Sequence, residues 1–354
     1  MTSWLRLAAG LVTLAAVAAS CAVGPTSLKA KPADLWSVMP SQADVRSLMG
    51  DSNWYSGPPS FEVEPLDAGT TPVSEKFGIS QAYEHLGSDE KLIARYVVFD
   101  KTSSATSTMT DFQTIYGTSI STTPKIGDQV LYYATFAGGG APYLTRTFVR
   151  VGQIVLTLLW TKKDSQITVK QMGKNAKLFA DPLRNLSKTH AQLAKVDSAL
   201  LPPPGLDITP LGSANLPLES FVVMINAGLP GTLLNELQSM GVTSLAYGDY
   251  ALNLDTHMEV QTAALRFPSP QAAASFAGVL SPSPPDANGI GSGYIKVSGG
   301  TPASGEYDYV FAAGPYAVLL ICKASIDGEA ATRECEDPME RTAIAWRAAL
   351  GKAA

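Results

Sequence analysis

The spacing of apolar side chains describes two similar runs, one in each half of the chain. In the first, Ile93-Ala94-Arg95-Tyr96-Val97-Val98-Phe99 reads as a strand. Thr102–Tyr116 follows as a helix with a stripe of Ala105, Met109, Phe112, Ile115 and Tyr116, ended by Gly117. In the second, residues 262–267 are the strand, Ser269 is placed to cap a helix with Pro270 in its first turn, and Ala272, Phe276, Val279 and Leu280 form the stripe. The pattern Phe-x-x-Ile-Tyr at Phe112 recurs as Phe-x-x-Val-Leu at Phe276, 164 positions later. Two strands are expected after each helix, the second with a central glycine. They are residues 130–136 and 147–160 around Gly152, then 306–312 and 315–322 near Gly314. Upstream, residues 41–49 (Val45, Leu48, Met49) and 232–240 (Leu233, Leu234, Leu237) each read as a short amphipathic helix ending in Met-Gly. A closing helix fits in either of two registers. Asp181-Pro182 matches Asp337-Pro338 as start chemistry, or Ala176, Phe179 and Leu183 match Ala343, Trp346 and Leu350 as a buried stripe.

Hairpin-like strands with helices outside the run predict the α+β class: two tandem, duplicated domains, each a mainly antiparallel sheet packed by helices on one face. The consecutive prolines of Leu201-Pro202-Pro203-Pro204-Gly205 exclude regular helix and mark a boundary. The expected organisation is a leader over 1–20, a tether over 21–33, a first domain over 34–195, a Pro-rich linker over 196–217 and a second domain over 218–354.

Composition narrows the partners more than the fold. The chain has 354 residues, 45% hydrophobic and 16% charged, with a formal net charge of -5. No Lys/Arg-rich run interrupts that acidic balance, so a nucleic-acid partner is not expected. Three histidines, His85, His190 and His257, are far apart and in no metal-ligand spacing, and no metal or cofactor is expected. Gly289-Ile290-Gly291-Ser292-Gly293 lacks the dinucleotide spacing, there is no Gly-x-Ser-x-Gly elbow, and Gly138-Gly139-Gly140 reads as a hairpin loop.

The N-terminus carries the most specific signal. A short start with Arg6 leads into an apolar run over residues 7–19, too short for the roughly 20 residues that span a bilayer. The following Val17-Ala18-Ala19-Ser20-Cys21 resembles the lipobox of bacterial lipoproteins, with Ala18 where Leu is usual. The resemblance covers the first 21 residues and implies cleavage before Cys21, a diacylglyceryl thioether on its sulfur, and often an amide-linked, palmitate-type third chain. With two or more acyl chains the anchoring is stable. The implied place is the extracytoplasmic face of the cell membrane or envelope. If Cys21 carries lipid, Cys322 and Cys335 remain as a pair outside the cytosol, to be bridged or left as two buried thiols. A bridge would close a loop of about 14 residues, worth roughly 3 kcal/mol. The mildly acidic exported part is expected to rely on its acyl chains, not on a basic patch, to stay at an anionic membrane.

Aromatic residues outside the periodic runs are the remaining lead. Trp54 and Tyr55 in a loop-like stretch, with Tyr143 and Arg146 near the Gly138 loop, are a candidate binding surface for an envelope protein, peptide or glycan; packing beneath loops is the alternative. The expected function is that of a membrane-anchored binding or scaffold lipoprotein and not an enzyme. The competing expectation is an envelope hydrolase with its site between the two domains.

Overall fold

The computed structural model describes residues 30–353, apart from 62–74, 137–141, 164, 189–195, 226–229, 253–257, 282, 284–285, 299–303 and 325–327. Cys21 and the leader lie outside the described residues, as do His190, His257 and Gly138 to Gly140. The first half runs α1 (Pro32–Ser37), α2 (Gln42–Met49), β1 (Trp54–Ser60), β2 (Glu75–His85), β3 (Lys91–Phe99), α3 (Thr102–Tyr116), β4 (Gln129–Phe136), β5 (Tyr143–Val151), β6 (Ile154–Lys162) and α4 (Val169–Ala180). The second runs β7 (Ile208–Pro217), α5 (Leu218–Met224), α6 (Pro230–Ser239), β8 (Ser244–Leu252), β9 (Met258–Arg266), α7 (Pro270–Leu280), β10 (Gly291–Ser298), β11 (Ser304–Ala313), β12 (Tyr316–Ala324) and α8 (Gly328–Ala353).

Two six-stranded antiparallel sheets result, ordered β1-β2-β3-β6-β5-β4 and β7-β8-β9-β12-β11-β10. Counted from its own first strand, the second order is identical to the first, so the chain is two tandem α+β domains of one topology. They differ in one respect: α1 and α2 precede β1, whereas α5 and α6 are inserted between β7 and β8.

Local chemistry explains most element ends. Ser41 accepts from the Asp44 N–H to cap α2, Gly50 closes it in the left-handed region, and Ser269 caps α7 through the Ala272 N–H. Where the structure departs from the pattern, it does so in parallel in the two halves. Residues 147–160 are not one strand: Gly152 (φ 61) turns β5 into β6, as Gly314 (φ 53) turns β11 into β12. Ile115 and Val279, three residues after the matched phenylalanines, are exposed and do not belong to the buried stripes. Of the two closing-helix registers, the stripe is realised, since Ala176, Phe179, Leu183, Ala343, Trp346 and Leu350 are all buried. Asp181 instead ends α4, and Pro338 lies inside α8.

Each sheet is apolar on both faces and covered on both, not on one. In the first sheet, Tyr96, Val98, Leu156 and Leu158 meet α1, α2 and α4, while Val97, Phe99, Val155 and Phe148 meet Met109 and Phe112 of α3. In the second, Tyr247, Ala263, Leu319 and Ile321 meet α5, α6 and α7, while Val260, Leu320 and Phe311 meet α8. Cys322 and Cys335 form the disulfide that fastens α8 to β12.

The domains are joined through the end of β1. Gly57 lies under Val223 of α5, and a Cβ there would sit 2.9 Å from its Cγ1. The Tyr247 hydroxyl donates to the Pro59 carbonyl (2.6 Å), Ser60 Oγ donates to Glu259 (2.6 Å), and the Phe61 N–H donates to Asp249 Oδ2 (2.6 Å). The Phe61 ring is seated against Gly212 of β7 and edge-on to Trp36 of α1, 6.0 Å away. β7 thus begins in a stretch expected to be linker, and residues 208–217 contribute to the junction.

Burial first, and then the neighbouring Glu259 carboxyl, push the Asp249 pKa well above the usual carboxylate value, with the Phe61 N–H and then Lys323 opposing them. A raised native pKa means that the folded state holds the proton more tightly, so this group's contribution declines as pH rises above about 4, the ordinary carboxyl value. Asp249→Asn keeps an acceptor for the Phe61 N–H. The variant should melt higher than the parent at neutral pH and lose that part of the pH dependence, in thermal scans from pH 4 to 8; a lower melting temperature at neutral pH would show that the carboxylate is held charged. Replacing both Cys322 and Cys335 by Ser should cost about 3 kcal/mol, measured by urea unfolding.

Candidate functional site

Two concavities lie on either side of α4. Its inner stripe, Met172, Ala176, Phe179 and Ala180, is buried on the first sheet, which leaves its flanks free to line them.

The first is a pocket of about 290 Å3 at the sheet end where β1 begins, β2 ends and β6 ends. Its walls are Leu48 and Met49 of α2, Trp54, His85, Trp160 and Lys162 of the sheet, Glu90 of the β2–β3 turn, and Gln171, Lys174 and Asn175 of α4, with Asp51 beside them. Trp54 is placed by α2, because Arg46 Nε donates to its carbonyl (2.7 Å) and Gln42 Oε1 accepts from the Ser56 N–H (3.0 Å). Trp160 Nε1 donates to Glu90 Oε1 (3.0 Å), and Lys162 Nζ stands 3.4 Å from the same oxygen. The His85 ring is edge-on to Trp54 at 5.8 Å, and its Nε2 is 2.9 Å from Asp51 Oδ2. The Asn53 N–H, and then His85, hold the Asp51 carboxyl below its ordinary range. Asn175 is the exception to this satisfied network. It is 3% exposed, and its Nδ2 has no hydrogen-bond partner. A buried amide donor without a partner costs about 1–3 kcal/mol.

Ser88, His85 and Asp51 form a line that resembles a nucleophilic triad on distances alone, with Ser88 Oγ 2.9 Å from His85 Nδ1. Ser88 Oγ also accepts from the Glu90 N–H (3.3 Å), so it braces the β2–β3 turn, and it is not among the pocket walls. The geometry is that of a turn holding a histidine in place.

The second concavity is a groove of about 1110 Å3 between α4 and the segment before β4. It is lined by Lys125, Lys170, Lys174, Lys177 and Arg184 with one carboxylate, Asp181. Lys170, Lys174 and Lys177 fall on one side of the helix by their spacing. Gly173 lets the chain at Pro124 lie against that side, since a Cβ there would sit 2.5 Å from the proline ring. Lys174 lines both concavities.

The four aromatic and basic candidates do not form one surface. Trp54 is in β1, not in a loop, and is buried in the first core. Tyr55 lies under the Arg46 guanidinium (4.6 Å) and packs on the second domain's core. β5 is four places from β1 in the sheet, about 19 Å at normal strand spacing. Within β5, Tyr143 and Arg146 point to opposite faces by strand alternation, and Arg146 lies over Tyr116 (5.1 Å). The pocket came from residues that sequence reasoning did not join, because four separated stretches, 48–54, 85–90, 160–162 and 171–175, meet there.

No family model matches the chain, and no curated protein matches it. Among solved structures, the extracellular domain of PknH from Mycobacterium tuberculosis is similar at 15% identity, with a TM-score of 0.34, over 47% of this chain and 100% of that one. DynU16, from the dynemicin biosynthetic locus, is similar at 12% identity, with a TM-score of 0.15, over 93% and 96%. At these scores neither carries an argument about the chain.

Asn175→Leu removes the orphaned donor while keeping the volume near. The ligand-free variant should be at least as stable as the parent in urea unfolding. A loss of more than about 1 kcal/mol would mean that Asn175 has a structural partner within the fold.

Proposed function

We propose that the chain is an exported lipoprotein, held through Cys21 at the outer face of a membrane, whose first domain binds a small polar, sugar-like ligand in the pocket between α2 and α4. The lipobox-like segment and the Cys322–Cys335 disulfide support export, since disulfides persist in oxidising compartments. The single observation that carries the binding reading is a pocket, with Asn175 in its wall, that pairs indole rings with charged groups of both signs. Such a mixture suits a hydroxyl-rich ligand stacked on apolar edges and fixed by a few hydrogen bonds.

The hydrolase alternative has one feature in its favour, the adjacent Asp249 and Glu259 carboxyls at the domain junction. Asp249 is fully buried and accepts from the Phe61 backbone, and Glu259 accepts from Ser60. The pair fastens the domains together, and the pocket beside α4 is the better site.

The test has two parts. Intact-mass analysis of the membrane fraction should give a mature chain starting at Cys21 with a diacylglyceryl adduct; an unmodified N-terminus removes the anchor. Saturation-transfer NMR with glucose, N-acetylglucosamine and their disaccharides should find a binder that Asn175→Leu weakens at least tenfold. If none of these sugars binds, or the variant binds equally well, the ligand reading fails.

A further inference from the structure

The groove along α4 places five cations against one carboxylate in a chain whose formal net charge is -5. Positive charge is therefore concentrated on one face even though the whole molecule is acidic. Asp181 is paired with Lys177 across one helical turn, and Arg184 donates to the Gly127 carbonyl at 3.4 Å. The Lys125, Lys170 and Lys174 ammonium groups, like those of Lys177 and Arg184, belong to exposed residues.

The groove's position in the fold gives it a meaning. α1 packs against the 3-10 segment Pro182–Lys188, which carries Arg184. The first described helix therefore packs on the segment that brings Arg184 to the groove. Cys21 is nine residues upstream of Ala30, a reach of at most about 30 Å when extended. A membrane anchored at Cys21 lies within reach of this face, and the acidic remainder of the surface would be repelled from an anionic bilayer.

We infer that the Lys125–Lys170–Lys174–Lys177–Arg184 face is a docking surface for an anionic phospholipid membrane, which turns the first domain so that α4 lies against the headgroups. The inference deepens the anchoring proposed above and rests on it for orientation only. It runs against the expectation that no basic patch contributes. Because Lys174 also lines the pocket, docking would set the pocket mouth close to the membrane surface.

The probe is the mature chain carrying Cys21→Ser, which has no acyl contribution, mixed with vesicles of equimolar phosphatidylglycerol and phosphatidylcholine or of phosphatidylcholine alone. Co-sedimentation should show partitioning onto the anionic vesicles only, and rising salt should weaken it. Lys125→Gln, Lys170→Gln and Lys177→Gln together should lower the partition coefficient about a hundredfold, at roughly 1 kcal/mol per basic side chain near an anionic surface. These residues are exposed, so circular dichroism should be unchanged. No partitioning at low salt, equal binding to neutral vesicles, an unaffected triple variant, or binding to soluble polyphosphate but not to vesicles would each overturn the inference. None of these outcomes bears on whether Cys21 is acylated, which the intact mass decides separately.

Discussion

A sheet with apolar side chains on both faces has to be covered twice, and this requirement organises the whole molecule. Helices α3 and α4 supply the two layers over most of the first sheet, as α7 and α8 do over the second. α3 leaves the β1–β2 end of its face to the second domain, whose α5 packs on β1 and β2. The floor there is made of small residues, Gly57 beside Ala82 and Ser60 opposite Ser80, which lets a helix backbone approach closely. The second domain thus completes the first, and the carboxyl of Asp249 and the hydroxyl of Tyr247 satisfy backbone groups that the end of β1 presents to it.

Much of this architecture was legible because caps, turns and core stripes are local. Ser269 caps its helix where the chain pattern put it, and Phe112 and Phe276 are buried in matching helices, whereas Gly152, expected inside a strand, turns one strand into the next. The stripes were read one residue too wide at Ile115 and Val279, since an apolar residue at the margin of a helical face is as compatible with solvent as with the core. The prolines misled in both halves for one reason. Trp54–Ser60 and Ile208–Pro217 contain proline and read as loop or linker, yet both are edge strands, where a missing N–H leaves no ladder bond unmade.

The candidate site was hardly legible. Only Trp54 was singled out from the pocket, and for an exposure that it does not have. Glu90, Trp160 and Asn175 come from a turn, a strand end and a helix, and nothing in their spacing brings them together. Charge segregation was equally hidden: Lys125 and Arg184 are far from one another in sequence, and a net charge averages them with acids on other faces.

Trp36 of the six-residue helix α1 packs on both domain cores, and α1 is the first element among the described residues. A pull on the N-terminus therefore loads α1 first and reaches the joint between the domains through the Trp36–Phe61 contact. Mechanically, a load that enters at α1 is shared between the two domain cores through one indole ring.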